Sequence, residues 1–216
     1  MNDTISYDVL VVDDHPMMRR GVMELLDMED EINPVGEATN GKEALDKALS
    51  LEPDLILLDL NMPGMNGIET VKAMRAAGVD ARILIFTVSD DHHNVVDALK
   101  EGADGYLLKD MEPEDLVQNI MKAIHGKTAI SPELTEALAT AIRSRETSEK
   151  VNTNSLTDRE KQVLKLVANG LSNKMIARKL DIAEGTVKVH VKRVLNKLGM
   201  RSRVEAAVWV AEGKIK

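Results

Sequence analysis

Residues 55–67 read LILLDLNMPGMNG: four apolar residues end on a carboxylate, Asp59, and a loop rich in Asn, Pro and Gly follows. A short apolar run bounded by turn residues is the signature of a buried strand. The same grammar stands at 8–14, where DVLVV runs into Asp13 and Asp14. Parallel neighbouring strands would bring both ends to one edge of a sheet, and open α/β sheets bind ligands outside the carboxyl ends of their strands. Three carboxylates crowded there would repel one another, so the site calls for a cation. A hard, oxygen-seeking ion such as magnesium fits, together with a phosphoryl group.

Working outward, the first 125 residues alternate short apolar runs with amphipathic stretches. Strands are predicted at Val9–Asp13, Pro34–Ala38, Leu55–Asp59, Arg82–Thr87 and Gly105–Leu108. Helices are predicted near 16–27, 41–50, 67–77, 92–101 and 113–125. That alternation predicts an α/β, flavodoxin-like fold, a five-stranded parallel sheet in the order 2-1-3-4-5 with helices on both faces. Ser131-Pro132-Glu133 reads as the start of a short linker helix, and 144–155 as a polar tether. After residue 155 the strand signal stops. Four short helices are expected near 158–168, 172–180, 184–198 and 202–211, the first opened by a capping box between Thr157 and Glu160. The expected division is 1–127, 128–154 and 155–216.

Charge divides along the same line. Residues 1–128 carry 26 acidic and 11 basic side chains, net −15, whereas residues 151–216 carry 6 and 14, net +8. A basic module joined to an acidic one points to a polyanion partner for the basic part. With no cysteine, a disulfide scaffold and cysteine metal sites are excluded. No apolar run reaches the eighteen or so residues of a membrane span, and no signal peptide is visible, so a cytoplasmic protein is expected.

The acidic edge suits phosphorylation. Asp59 can act as a nucleophile and form an acyl phosphate. Magnesium held by Asp14, Asp59 and a backbone carbonyl would neutralise part of the charge, and Lys109, ending the fifth strand, would neutralise more. Thr87, ending the fourth strand, could donate one further hydrogen bond. His15, His92 and His93 read as surface or loop histidines, and Met17, Met18 and Met65 as packing residues. In the basic part, Asp181-Ile182-Ala183 joins two helices as a helix-turn-helix requires. Val187, Val191, Val194 and Leu198 form the inward stripe of the second helix. Lys188, Val189 and Lys192 lie on another face, which Arg193 and Lys197 extend. Such a face can enter a major groove, lysine meeting guanine or phosphate and valine a thymine methyl.

The stretches VVDDHP, LLDLNMPGMNG, TVSD and GADGYLLKD resemble the receiver domains of two-component response regulators. That resemblance implies that Asp13 and Asp14 bind magnesium, Asp59 accepts the phosphoryl group from a sensor histidine kinase, and Asn61 lends its carbonyl. It also implies that Thr87 and Lys109 bind the phosphoryl group and that Tyr106 is the aromatic that swings inward. Many receivers carry proline after the lysine. Asp110 stands there, and a cis bond before a non-proline residue is costly, which leaves that bond's geometry open. Residues 155–211 resemble the LuxR-type DNA-binding domain of the NarL/FixJ family. That implies that Lys188, Val189 and Lys192 reach bases of double-stranded DNA and that the last helix forms a homodimer on DNA, through Val204, Ala207, Val208 and Ala211. As a whole the chain resembles the nitrate/nitrite response regulators of the NarL and NarP type. Two other functions remain conceivable. A phosphatase would use Asp59 as nucleophile, but Asn61 stands where its general acid belongs. An RNA binder would want aromatic stacking surface, and the chain has one Trp, two Tyr and one Phe.

Overall fold

The computed structural model describes residues 5–88, 92–126 and 155–211. The expected linker helix and all but the last residue of the expected tether lie outside them. The first part is a five-stranded sheet in the order β2-β1-β3-β4-β5, every pairing parallel. Its strands are β1 (Tyr7–Val12), β2 (Ile32–Ala38), β3 (Leu55–Leu58), β4 (Arg82–Thr87) and β5 (Gly105–Leu108). Between and after them run α1 (Pro16–Asp27), α2 (Gly41–Leu51), α3 (Gly67–Ala77), α4 (His92–Glu101) and α5 (Pro113–Ile124). β1 and β2 both begin two residues earlier than the apolar pattern indicates. The Tyr7 N–H donates to the Glu31 carbonyl, which extends pairing beyond the apolar run.

Alternation along the strands feeds two apolar layers. Leu10, Val12, Ile56, Leu58, Ile83 and Ile85 pack with α2, α3 and α4 residues on one face. Val9, Val11, Leu55, Leu57, Leu84 and Phe86 pack with α1 and α5 residues on the other. Asn66 caps α3 in a capping box with Glu69, which stops the loop after Asp59 with a fixed register. Gly67 is required there by space: a Cβ would meet the Asp59 carbonyl oxygen at 2.5 Å and Leu60 Cα at 2.7 Å.

The second part is helical: α6 (Asp158–Ala168), α7 (Asn173–Leu180), α8 (Glu184–Leu198) and α9 (Arg203–Ala211). The Thr157–Glu160 capping box forms as the sequence predicts. Asp181 ends α7 at φ +51°, a left-handed turn that Asp tolerates better than most residues. Val187, Val191, Val194 and Leu198 join Leu164, Ile176 and Trp209 in a core of their own.

Candidate functional site

The carboxyl ends of β1, β3 and β5 converge on a compact charged group. Asp13 and Asp59 are each 2% exposed. Lys109 Nζ lies 2.7 Å from Asp13 Oδ2 and 2.9 Å from Asp59 Oδ2, so one ammonium bridges both carboxylates. Lys109 is aimed by its backbone N–H, which donates to the Thr87 carbonyl at 2.8 Å, and by the Phe86 ring 5.8 Å below its ammonium. The Lys109–Asp110 peptide is trans. Burial pushes the Asp59 carboxyl above its ordinary value, and the Asp13 charge adds to that, against the opposing pull of Lys109 and the Asn61 N–H. Burial alone would lower Lys109, but the hydrogen bonds and charges of Asp13 and Asp59 outweigh it and raise the ammonium.

Donor atoms of Asp13, Asp14, His15 and Asp59 all lie within 4.8 Å of one another. His15 is exposed as expected, yet it is not a bystander: its Nδ1 is 2.8 Å from Asp14 Oδ1. Its backbone N–H also donates to Asp13 Oδ1 at 2.8 Å. The side chains of His92 and His93 lie outside the described residues. Asn61 is exposed at the loop mouth, and its N–H donates to Asp59 Oδ1 at 3.3 Å. Thr87 is fully buried at the end of β4. Tyr106, half-buried on β5, packs on the apolar layer containing Val95, Ala98 and Leu99 of α4. Met17 departs from its expected packing role, being 84% exposed. The first turn of α1 simply turns it away from the sheet, while Met18 packs inward.

The helical part sits against the opposite end of the sheet, where the strands begin. Among the described residues, four ion pairs cross between the two parts, and in each the carboxylate belongs to the α/β part. Asp54 meets Lys174 at 2.7 Å, Glu52 meets Lys188 at 3.1 Å, Asp80 meets Arg203 at 3.0 Å and Glu101 meets Arg201 at 2.6 Å. Asn173 donates to Asp80 at 2.8 Å and accepts from Arg203. Arg82 donates to the Gly170 carbonyl at 2.8 Å. Burial and the Arg203 charge lower Arg82 to about 10, which leaves it protonated at neutral pH. Lys192 lies so close to Gly78 that a Cβ there would overlap its ammonium. A cavity of about 340 Å³ separates the surfaces, lined among others by Glu52, Asp80, Lys188, Val189 and Lys192. Arg193 is exposed. On α9, Val204 belongs to the α/β apolar layer and Val208 packs against it, whereas Ala207 is half-buried and Ala211 exposed.

Residues 9–121 match the family described as response regulator receiver domain, and residues 154–210 match that described as bacterial regulatory proteins, luxR family. The chain belongs to the response regulators. It is 54% identical over 207 residues to the nitrate/nitrite response regulator protein NarL of Escherichia coli (strain K12), covering 96% of each chain. It is 46% identical over 210 residues to the nitrate/nitrite response regulator protein NarP of the same strain, again covering 96% of each. The crystal structure of the response regulator ChrA of a heme-sensing two-component system is 32% identical, with a TM-score of 0.50 over 97% of this chain and 99% of that one. A receiver joined to a LuxR-type module makes this response regulator a phosphorylation-controlled transcription factor. Among the described residues, no helix is long and apolar enough to cross a membrane.

Sequence reasoning named every residue that the structure groups at the acidic end except His15, and it placed Lys188, Val189 and Lys192 off the inward stripe of α8. It missed Glu52, Asp54, Asp80, Arg82, Glu101, Asn173, Lys174, Arg201 and Arg203. The net charges of the two parts were the one signal that bore on them, and they indicate attraction without naming partners.

Proposed function

We propose that a sensor histidine kinase phosphorylates Asp59, and that this decides whether the Lys188 face of α8 reaches duplex DNA in a nitrate/nitrite-responsive circuit. One observation carries the reading: Lys188 is engaged by Glu52 of the receiver, so the same lysine cannot hold DNA while the two parts are docked. The stimulus rests on the likeness, at 54% and 46% identity, to two nitrate/nitrite response regulators. The division into 1–127, 128–154 and 155–216 and a cytoplasmic location belong to the same reading.

In the reaction, an Asp59 oxygen attacks the phosphorus of a phosphohistidine. The P–N bond breaks, the imidazole leaves, and an acyl phosphate forms. The Asp13, Asp14 and Asp59 carboxylates and an Asn61 carbonyl are a hard-oxygen donor set that fits magnesium, and the close grouping of the three carboxylates supports it. When bound, that ion neutralises phosphoryl charge. Lys109 keeps one positive charge between Asp13 and Asp59 and meets the transferred phosphoryl oxygens as a point charge. Thr87 donates a hydrogen bond to them, and Tyr106 responds by moving inward. Lys188, Val189, Lys192 and Arg193 then contact DNA. Val204, Ala207, Val208 and Ala211 pair two chains, since leaving the receiver also frees Val204 and Val208. The test is operator affinity of the full chain before and after treatment with acetyl phosphate and magnesium. Affinity should rise on treatment, and chelation during treatment should prevent the rise. Equal affinity in both states would refute the reading.

A further inference from the structure

Arg75, in the last turn of α3, belongs neither to the acidic group nor to the docking contacts, yet it holds the backbone behind the docking contacts. Its Nε donates to the Gly102 carbonyl at 2.9 Å. One terminal nitrogen donates to the Val79 and Ala81 carbonyls, each at 2.8 Å. The other meets Asp104 Oδ2 at 2.6 Å, and that oxygen also accepts the Ile83 N–H at 2.9 Å. Both side chains are nearly enclosed, at 8% and 4% exposure. A single planar fork therefore fixes the α3–β4 and α4–β5 loops relative to each other.

Those loops carry two of the four carboxylates that pair with the LuxR-type module. Asp80, between the two carbonyls that Arg75 holds, receives Arg203 and Asn173. Glu101, beside Gly102, receives Arg201. Gly102 is wedged between the two arginines: a Cβ there would meet Arg75 Cγ at 2.9 Å and Arg201 Cβ at 3.3 Å. The same loops lead into β4 and β5, which end at Thr87 and at Leu108, the residue before Lys109. Arg75 thus ties β4 to β5 at the end of the sheet roughly 15 Å, by strand rise, from the phosphorylation site.

We propose that Arg75 is a positioning residue that couples the Asp59 site to the docking edge, holding Asp80 and Glu101 where the LuxR-type module can dock. The inference rests on the proposed phosphorylation-controlled release. Lysine cannot reproduce a five-donor planar fork, so Arg75→Lys keeps the charge and loses the simultaneous grip on both loops. A role in stability alone would lower the melting temperature and leave the phosphorylation response unchanged.

The experiment measures operator affinity of full-length parent and Arg75→Lys chains, each with and without phosphorylation, alongside the rate of Asp59 labelling. The parent chain tests the function itself: it must label and must bind more tightly when phosphorylated. The variant tests Arg75. It should label within about twofold of the parent rate, and its unphosphorylated affinity should rise so that the phosphorylated-to-unphosphorylated ratio collapses toward one. Adding Asp80→Asn to Arg75→Lys should change that ratio no further, because the docking that Asp80 supports is already lost in Arg75→Lys. A ratio in Arg75→Lys equal to the parent's overturns the proposal. If Arg75→Lys does not yield folded protein, Asp104→Asn decides by the same ratio, since its amide oxygen still accepts from Ile83. Collapse there supports the coupling, and retention overturns it.

Discussion

Asp59 and Asp80 stand at opposite ends of one parallel sheet, and each meets a nearly enclosed cation, the side chains of Lys109 and Arg203 being 7% and 8% exposed. Asp59 pairs with Lys109 of its own module, and Asp80 pairs with Arg203 of the other module. The consequences differ. A pair within one folded unit persists until that unit unfolds, so its charges are fixed apparatus for chemistry. A pair across two units can part while both stay folded, so its charges are available for switching. The acidic end suits a reaction, and the docking end suits a reversible interface.

Asp59→Asn gives the largest expected effect. Labelling by acetyl phosphate or a kinase should be lost entirely, and the docking contacts should remain, because none of them involves Asp59. Label retained at the parent level in this variant would remove the acidic end from the chemistry. Asp80→Asn should do the reverse. Truncating one side of a buried, hydrogen-bonded charge pair costs about 2–5 kcal/mol. Unphosphorylated chain carrying Asp80→Asn should therefore bind operator DNA at least about 30-fold more tightly, up to the affinity of phosphorylated parent chain, while labelling normally. Unchanged affinity would show that docking does not limit DNA binding.

The contrast between the two ends also explains what the sequence discloses. Apolar runs ending at Asp13, Asp59, Thr87 and Lys109 are local signals, and parallel pairing alone brings their ends together. The inward valine stripe of α8 is equally local. Asp80 and Arg203 are 123 residues apart, and neither lies in a periodic pattern, so their meeting follows from tertiary docking alone. Arg75 reads in the sequence as an ordinary basic residue in the last turn of a helix. His15 was read correctly as exposed, but its approach to Asp14 follows from the bend after β1. The starts of β1 and β2 lie outside the apolar pattern because Tyr7 and Ile32 extend the sheet through backbone pairing.

Glu184 offers a smaller, opposite test at the docking edge. Burial raises its carboxyl above the ordinary value, and the Asp54 charge adds to this, against Lys174 and Lys188. A raised carboxyl favours the docked form below its ordinary range, and that contribution is lost as pH rises through the docked value. At neutral pH the ionised Glu184 thus opposes docking. Glu184→Gln should hold the unphosphorylated chain more firmly closed, read as weaker operator binding at pH 7 and as a shorter distance between fluorophores on the two modules. Looser docking in this variant would mean that its helix-start role outweighs the repulsion from Asp54.

Glu52 sets the lower bound. Its side chain is 69% exposed where it meets Lys188, and exposed ion pairs contribute about 0.2–1 kcal/mol. Glu52→Gln should raise unphosphorylated operator affinity by about fivefold or less, well below Asp80→Asn, although Glu52 is the carboxylate on the lysine proposed to contact DNA. The pair occupies the lysine, but the Asp80–Arg203–Asn173 group holds the modules together. Raising salt from 50 to 200 mM should erase the Glu52 effect and leave most of the Asp80 effect, because screening acts on exposed charges far more than on enclosed ones. Equal effects of the two substitutions at both salt concentrations would mean that long-range attraction between a −15 segment and a +8 segment holds the closed form, and that no single contact is its anchor.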